Sequence, residues 1–549
     1  MKTHDRHVWK KGNADAMESY LLGIDIGTQG SKGILVTTNG RVVSIASREH
    51  GIAIPRSGWA EHDADQIWWA DFVTLCRALL DQAQIDPRRI LAVGPSGLSP
   101  DMLPLDAHGR PLRPAILYGI DTRATKQIAA INAFLASSHE QDDARVRVTH
   151  QHVGPKLLWF RDNEPDRWSR TAKVVSAHGY IVYKLTGAYT LDYGTASGFA
   201  PFYDPQVRRW REDRCAALGI PVHLLPDLVG ATDVAGTVQR EAALVTGLAA
   251  GTPVIAGVTD FMAELISTGT HNAGDIVLSY GSTMSFMVFT QGPVHCPGLW
   301  GTSGFTHDLF PAQWTIGGGM ATSASLIRWF RDNFAAAELE EERAHGINAY
   351  QLLSREAASL PFGSDGLIVL PYFSGERTPI HDPRARGMVF GLTLKHTRSH
   401  IYRAILEGIS YGLKHHLDLI RDAGVPLTRI AAVGGGTRNP LWTRIVTDVT
   451  NLPQDILLSA GAPLGDAYLA GYGIGLFHDF RAIHEHWIRV AEVIQPDPTA
   501  HARYAAYYPI YRALYERTKE EMHMLDRLCR GEAGEADAEP VEEEVSRIA

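Results

Sequence analysis

Cysteine is scarce in this 549-residue chain. Four residues, Cys76, Cys215, Cys296 and Cys529, lie far apart with no CxxC pair. That spacing excludes a disulfide framework and a zinc ribbon, and reduced structural thiols are expected. Positive charge is in short supply too. Asp and Glu outnumber Lys and Arg by 61 to 52, a net charge of −9, so no surface for nucleic acid or an anionic membrane is expected. No apolar run approaches the roughly 18 residues that a membrane-spanning helix needs. The first twenty residues, MKTHDRHVWKKGNADAMESY, include basic residues with no apolar stretch behind them, and do not read as a secretory leader. The motif HExxH and cysteine–histidine metal spacings are missing as well. What remains is a cytoplasmic enzyme of small molecules. Its composition, 45% apolar and 21% charged, suits a chain that buries large cores.

Both ends read as tails. Residues 1–19 are polar. The segment 526–549 finishes in RGEAGEADAEPVEEEVSRIA, seven acids against two arginines, with too little apolar surface to order itself. A partner-binding role for this acidic run is the alternative. Between the tails, YLLGIDI reads as a strand, GTQG as a turn and SKGILVTT as a second strand. Asn39-Gly40 then signals a hairpin into a third, RVVSIASREH. Asp25 ends the first apolar run, the glycines after it let backbone N–H groups approach a ligand closely, and Lys32 follows. A phosphate with its metal ion is the suspect, and a polar hairpin turn the alternative. Walker and Rossmann glycine loops pass from strand to helix, whereas this one passes from strand to strand, so those two folds are excluded.

The device recurs. GDIVLSYGSTMSFMVFT is a strand, the turn Gly281-Ser282-Thr283 and another strand. Before it, in TPVIAGVTDFMAELISTG, an apolar strand ends at Asp260 and a helical pattern begins. Two related halves, each giving one phosphate-gripping hairpin to a shared cleft, would explain the repeat. A third glycine turn, Gly434-Gly435-Gly436, follows a strand at 429–433 and precedes a helix near Asn439-Pro440. It suits a nucleotide at a helix N-terminus, or a plain tight turn.

In this order the segments resemble the FGGY carbohydrate kinases, the family of xylulokinase, ribulokinase, gluconokinase and glycerol kinase. The most specific match is GMVFGLTLKHTRSHIYRAILEG, Gly387 to Gly408, which looks like the family's C-terminal signature. GERTPIHDPRARG leads into it as in pentulose kinases. KLLWFRDN, Lys156 to Asn163, fits the second half of the N-terminal signature, while Gln151 and Val153 depart from its first half. The resemblance runs from about Tyr20 to Arg512. It implies an α/β fold of two domains, of the actin, hexokinase and Hsp70-ATPase type (ribonuclease H-like). Each domain would hold a mixed five-stranded sheet, with the active site in the interdomain cleft. The expected domains are 20–268, for sugar and phosphate, and 269–525, for nucleotide.

The resemblance further implies ATP and Mg²⁺ as cofactors and a small sugar as partner, with a homodimer left open. Asp25 would hold Mg²⁺ through water. Gly27, Thr28 and Gln29 would face the β- and γ-phosphates, and Lys32 would add charge or be a solvated strand-edge lysine. Gly281, Ser282 and Thr283 would grip phosphate from the other wall. Asp260 would be the general base, with a helix N-cap as the alternative. Ser323, Gly435, Gly436 and Asn439 would line the adenosine. For the sugar, GLSPDMLPLD stands where xylulokinases carry Gln-Met-His-Gly, which puts Ser99, Pro100 and Asp101 at the hydroxyls and departs from the D-xylulose pattern. AILYGIDTRA resembles the family's Trp-Asn-Asp-x-Arg element, with Tyr118 in place of tryptophan and Asp121 and Arg123 at its polar positions. Arg123 is equally a structural ion-pair partner. Trp59, in SGWAEHD, is expected to pack near the cleft. The implied reaction moves the γ-phosphoryl of ATP to a terminal hydroxyl of a pentulose-like sugar, xylulose first. Ribulose, fuculose, erythrulose, erythritol, glycerol, gluconate or a signalling furanone are the alternatives within the family. A non-catalytic nucleotide sensor is the alternative outside it.

Overall fold

The computed structural model describes residues 18–137, 147–303, 309–310, 313–458 and 461–529. Most of both expected tails, 1–17 and 530–549, lies outside the described residues. Two sheets organise the rest. The first is built on β1 (Tyr20–Ile26), whose seven residues are all buried. A central strand covered on both faces has no solvent side to alternate with, hence its continuous apolar run. It pairs antiparallel with β2 (Gly30–Thr37), which pairs with β3 (Val42–Glu49). On its other side it runs parallel to β4 (Ile90–Gly97), with Asp25 opposite Ser96. Beyond β4 come β5 (Val234–Thr237) and β6 (Pro253–Ile255), and the short β7 (Val258–Thr259) also pairs with β4.

The second sheet repeats the scheme. β8 (Asp275–Tyr280) forms a hairpin with β9 (Met284–Thr290) and runs parallel to β12 (Arg429–Val433). The order is β10 (Trp300–Ser303), β11 (Trp314–Met320), β9, β8, β12, β13 (Gln454–Leu457) and β14 (Val490–Ile494). Each sheet thus has seven strands rather than the expected five, the additions lying at the edges.

Eight helices matter below: α1 (Ala70–Ala83), α2 (Val153–Asn163), α3 (Ala177–Thr186), α4 (Asp260–Ser267), α5 (Ala324–Phe334), α6 (Pro440–Thr450), α7 (Ala462–Gly473) and α8 (Pro498–Cys529). The helix α7 belongs by sequence to the second half but lies on β1, β4 and α4 of the first. Glycine makes that approach possible. A Cβ on Gly94 would stand 2.1 Å from the Asp466 carbonyl oxygen, and one on Gly23 would stand 1.9 Å from that of Pro463. Leu21, Ile34, Val258 and Ala263 of the first half share one buried cluster with Val277, Phe289, Ala467 and Leu469 of the second. At the C-terminal end α8 continues to Cys529, past the expected boundary at 525, because Asp526 is buried and pairs with Arg386. Among the described residues no helix is long and apolar enough to cross a membrane.

Candidate active site

The turn between β1 and β2 occupies Gly27 to Gly30. Its carbonyls point into the protein: Gly30 O accepts from Gly27 N–H (3.2 Å), Gln29 O from His50 N–H (3.2 Å) and Gly27 O from the His50 ring (3.1 Å). The amides of Thr28 and Gln29 donate to no acceptor among the described residues. Unspent adjacent N–H groups at a strand end form an anion-binding concavity. The Thr28 hydroxyl shares a 2.9 Å hydrogen bond with Tyr118. Lys32 is exposed, and its charge favours ionisation of both Asp25 and Glu264.

Behind this turn lies a group of buried acids. Asp25, at the end of β1, is pushed up to about 6, by burial first and then by the Glu264 charge, against the Ser96 hydroxyl and Lys32. Asp260 is the first residue of α4. The N-cap is Thr259, whose hydroxyl accepts from Met262 N–H (3.1 Å), so the capping alternative for Asp260 is corrected. This leaves the Asp260 carboxyl facing the other acids, its one local bond coming from Phe261 N–H at 2.7 Å. It is raised well above the usual carboxylate range by burial, then by the charges of Asp25, Glu264 and Asp101. Glu264, one turn along α4, is raised by burial as well.

Two members of this group were not singled out from the sequence. The Ser96 hydroxyl lies 3.0 Å from Asp25 Oδ1 and 2.8 Å from Asp466 Oδ2. A hydroxyl has one proton, so it donates to one of these carboxyls and accepts from, or faces, the other. Asp466 Oδ1 has no partner although the residue is 1% exposed. The available signal was one acid within the buried, otherwise uncharged helix APLGDAYLAGYG. No set of three or more His, Cys, Asp or Glu side chains among the described residues encloses a metal ion.

On the sugar side, Asp101 is fully buried. Oδ1 accepts from Ala177 N–H at the start of α3 (3.2 Å), while Oδ2 and the Ser99 hydroxyl have no partner. Burial pushes the Asp101 carboxyl up to about 8. Pro100 packs against Gly198. Lys156 of α2, also overlooked, is 1% exposed; burial pushes it down to about 7 against the charges of Asp121 and Asp101. It donates to the carbonyls of His150 (2.6 Å) and His152 (2.9 Å). Asp121 and Arg123 are spent on each other. Asp121 Oδ2 accepts from Ala60 N–H (2.7 Å) and from Arg123, whose Nε also reaches Oδ1 at 2.9 Å. Arg123 further pairs with Glu61 (2.8 Å) and lies 3.9 Å over the Trp59 ring. Both Asp121 oxygens, expected to meet a sugar, are thus engaged within the protein, and Trp59 packs on the Arg123 side of the pair.

The nucleotide-side residues gather at the end of β8. Gly281 to Thr283 form its hairpin, with Ser282 and Thr283 exposed. Here too the carbonyls are held inward. Gly281 O accepts from Ala324 N–H (3.1 Å), and Ser282 O from Ser323 N–H (3.0 Å) and Ser325 N–H (3.1 Å), all at the start of α5. The Ser323 hydroxyl is buried without a partner. The turn Gly434-Gly435-Gly436 abuts Tyr280, and Gly435 is exposed. Asn439 caps α6, accepting from Trp442 N–H (3.2 Å) and the Ser354 hydroxyl (3.1 Å), so its oxygen is already committed.

Residues 20–267 match the N-terminal domain of the FGGY family of carbohydrate kinases, and residues 276–474 match its C-terminal domain. The chain is 29% identical to the xylulose kinase of Bacillus subtilis (strain 168), over 91% of this chain and 97% of that one. It is 30% identical to the glycerol kinase of Nocardia farcinica (strain IFM 10152), over 86% and 93%. The crystal structure of xylulose kinase from Rhodospirillum rubrum superposes with a TM-score of 0.80 at 31% identity, over 92% of this chain and all of that one.

Proposed function

We propose, from the premise that this chain belongs to the FGGY family of carbohydrate kinases and is an ATP-dependent sugar kinase, that its acceptor is xylulose. The observation that carries the acceptor is the likeness to xylulose kinases across nine-tenths of the chain, at 29% identity in sequence comparison and 31% in a solved structure. The sugar hydroxyls meet the Ser99 hydroxyl and Asp101 Oδ2, two of the buried polar atoms of the first half that have no partner. Asp260 takes the proton of the terminal hydroxyl as that oxygen bonds to the γ-phosphorus and ADP departs. A carboxylate whose proton affinity is raised by burial and by Asp25 suits this task. The amides of Thr28 and Gln29 on one side, and the 281–283 turn on the other, hold the phosphates in line. Such positioning and charge stabilisation are what phosphoryl transfer asks of a protein.

The acids fit a hard divalent cation held through water and phosphate oxygens, Mg²⁺ in this reading, since magnesium keeps much of its hydration shell. Asp25, with one oxygen engaged by Ser96, would hold it, and when bound it would neutralise phosphate charge. A second acceptor class is favoured by one observation: Ser99-Pro100-Asp101 departs from the xylulokinase Gln-Met-His-Gly, so a polyol such as glycerol or a sugar acid such as gluconate is the second reading.

The test is ADP release with ATP and Mg²⁺ across D-xylulose, L-xylulose, ribulose, fuculose, erythrulose, erythritol, glycerol and gluconate. Xylulose is expected to lead by about 100-fold in kcat/KM, roughly 2.7 kcal/mol. Asp260→Ala should lower kcat by about 10²–10⁴-fold with ATP binding retained. A different leading acceptor removes xylulose alone. Absence of any acceptor-dependent ADP release across the panel would count against the site as drawn.

A further inference from the structure

The two phosphate turns solve one problem with different parts. A peptide unit can aim its N–H at a ligand only if its carbonyl end, pointing the other way, is satisfied inside the protein. In the second half, the first amides of α5 take the carbonyls of Gly281 and Ser282. The first turn has no helix behind it. Its carbonyls are met by His50, the residue after β3, through its backbone N–H to Gln29 O and its ring Nε2 to Gly27 O.

The ring of His50 is held at its other nitrogen as well. Nδ1 lies 2.8 Å from Asp71 Oδ2 of α1, an oxygen that also accepts from the Ser31 hydroxyl (2.8 Å). Asp71 Oδ1 takes Nε of Arg48 at 2.8 Å. A carbonyl oxygen only accepts, so the bond to Gly27 is donated by Nε2. The side chain is 8% exposed and held at both ring nitrogens. Its other titratable neighbour is His62, with ring centroids 5.1 Å apart. His62 Nδ1 accepts from the Trp68 indole (3.1 Å), and burial with the His50 charge pushes it down to about 4, so this second ring stays neutral. Asp71 thus ties the start of the turn, through His50, to its end at Ser31.

We propose that His50 is a positioning residue for phosphoryl transfer: braced by Asp71, it pins the Gly27 carbonyl inward and so presents the Thr28 and Gln29 amides to the phosphates of ATP. Without this side chain the turn would be released, and grip on phosphate, not on adenosine or sugar, should weaken.

The inference rests on the ATP-dependent kinase reading and is tested by calorimetry of the whole protein with ATP and with adenosine. The expected result for His50→Ala is an ATP Kd raised about tenfold or more, the scale of one hydrogen bond, with adenosine Kd unchanged. His50→Gln, whose side-chain N–H can still reach the Gly27 carbonyl, should recover part of that loss. Asp71→Asn, which removes the charge that braces the ring, should weaken ATP binding in the same sense, and it serves if the histidine variant does not fold. Equal ATP affinity in wild type and variants would overturn the role of His50. Equal loss for adenosine would overturn it too, marking a general structural defect. Failure of wild-type protein to bind ATP would overturn the kinase reading first and this one with it.

Discussion

Asp101 shows what a single residue costs and what it does. Its Oδ1 is fixed by Ala177 N–H, its Oδ2 has no partner, and burial pushes the carboxyl up to about 8. The folded-state value lies above the unfolded one, so the native protein holds an extra proton between about pH 4 and 8. Stability from this group is therefore present below the lower limit and is lost as pH rises through the window. Asp101→Asn keeps the acceptor for Ala177 and never ionises. It should raise the unfolding midpoint at pH 8, by on the order of 1–3 kcal/mol in stability, with little gain at pH 5. The same variant should weaken sugar binding by about tenfold or more, because the unpartnered oxygen is what remains for a hydroxyl. Thermal unfolding at both pH values, with sugar KM alongside, checks this. A gain that does not depend on pH would show that the carboxyl is not held protonated. Lys156 is the opposite case, a buried cation pushed down to about 7, and its neutral form removes a second burial cost on the alkaline side.

At the scale of elements, the strands and their glycine turns were legible because the signals are local. A buried run, a glycine turn and a second apolar run define a hairpin wherever they occur, and both glycine hairpins lie where the sequence reading put them. The edge strands β5, β10 and β14 were not legible, since short strands owe their pairing to neighbours and not to their own pattern. Nor was the meeting of Asp25 with Asp466, which depends on the helix α7 crossing back to the first sheet, 370 residues from Ser96. For Arg123 the structure shows the ion-pair alternative. Sequence spacing did not show that Asp121 and Glu61 would be its partners. The approach of α7 to β4 sets the element-scale prediction. Gly94→Ala places a methyl 2.1 Å from a backbone oxygen, with no flexible side chain to yield. The expected cost is about 1–3 kcal/mol or more, the range for overpacking. Because α7 carries Asp466, activity should fall further than stability alone would require. A variant with normal Tm and normal kcat would mean that the helix shifts freely, and that the acid group does not depend on its seat.

Taken whole, the proposed reading divides the ligands between the two halves of the molecule. Ser99, Asp101 and Asp260 belong to the first half, whereas Ser323 and the glycine turn at Gly435 belong to the second. The halves are joined by α7, by the bond from Gly461 N–H to the Ser267 hydroxyl (2.9 Å), and by the shared cluster of Leu21, Val277 and Ala467. In the proposed reading only a nucleotide with phosphates touches both halves, adenosine on one and the 27–30 turn on the other. Binding of sugar and ATP should then be coupled, and by thermodynamic linkage each must raise the affinity for the other by the same factor. The expected factor is about fivefold or more, the lower end of ordinary coupling between sites. It is measured as the ratio of sugar Kd without and with a non-hydrolysable ATP analogue. Adenosine is the control that decides the cause. It fills the second half without reaching the first, so it should leave sugar affinity unchanged, while a general tightening of the fold would act with either ligand. A ratio of one with the ATP analogue would mean that the phosphates do not bridge the halves, and the joint site would have to be redrawn as two independent ones.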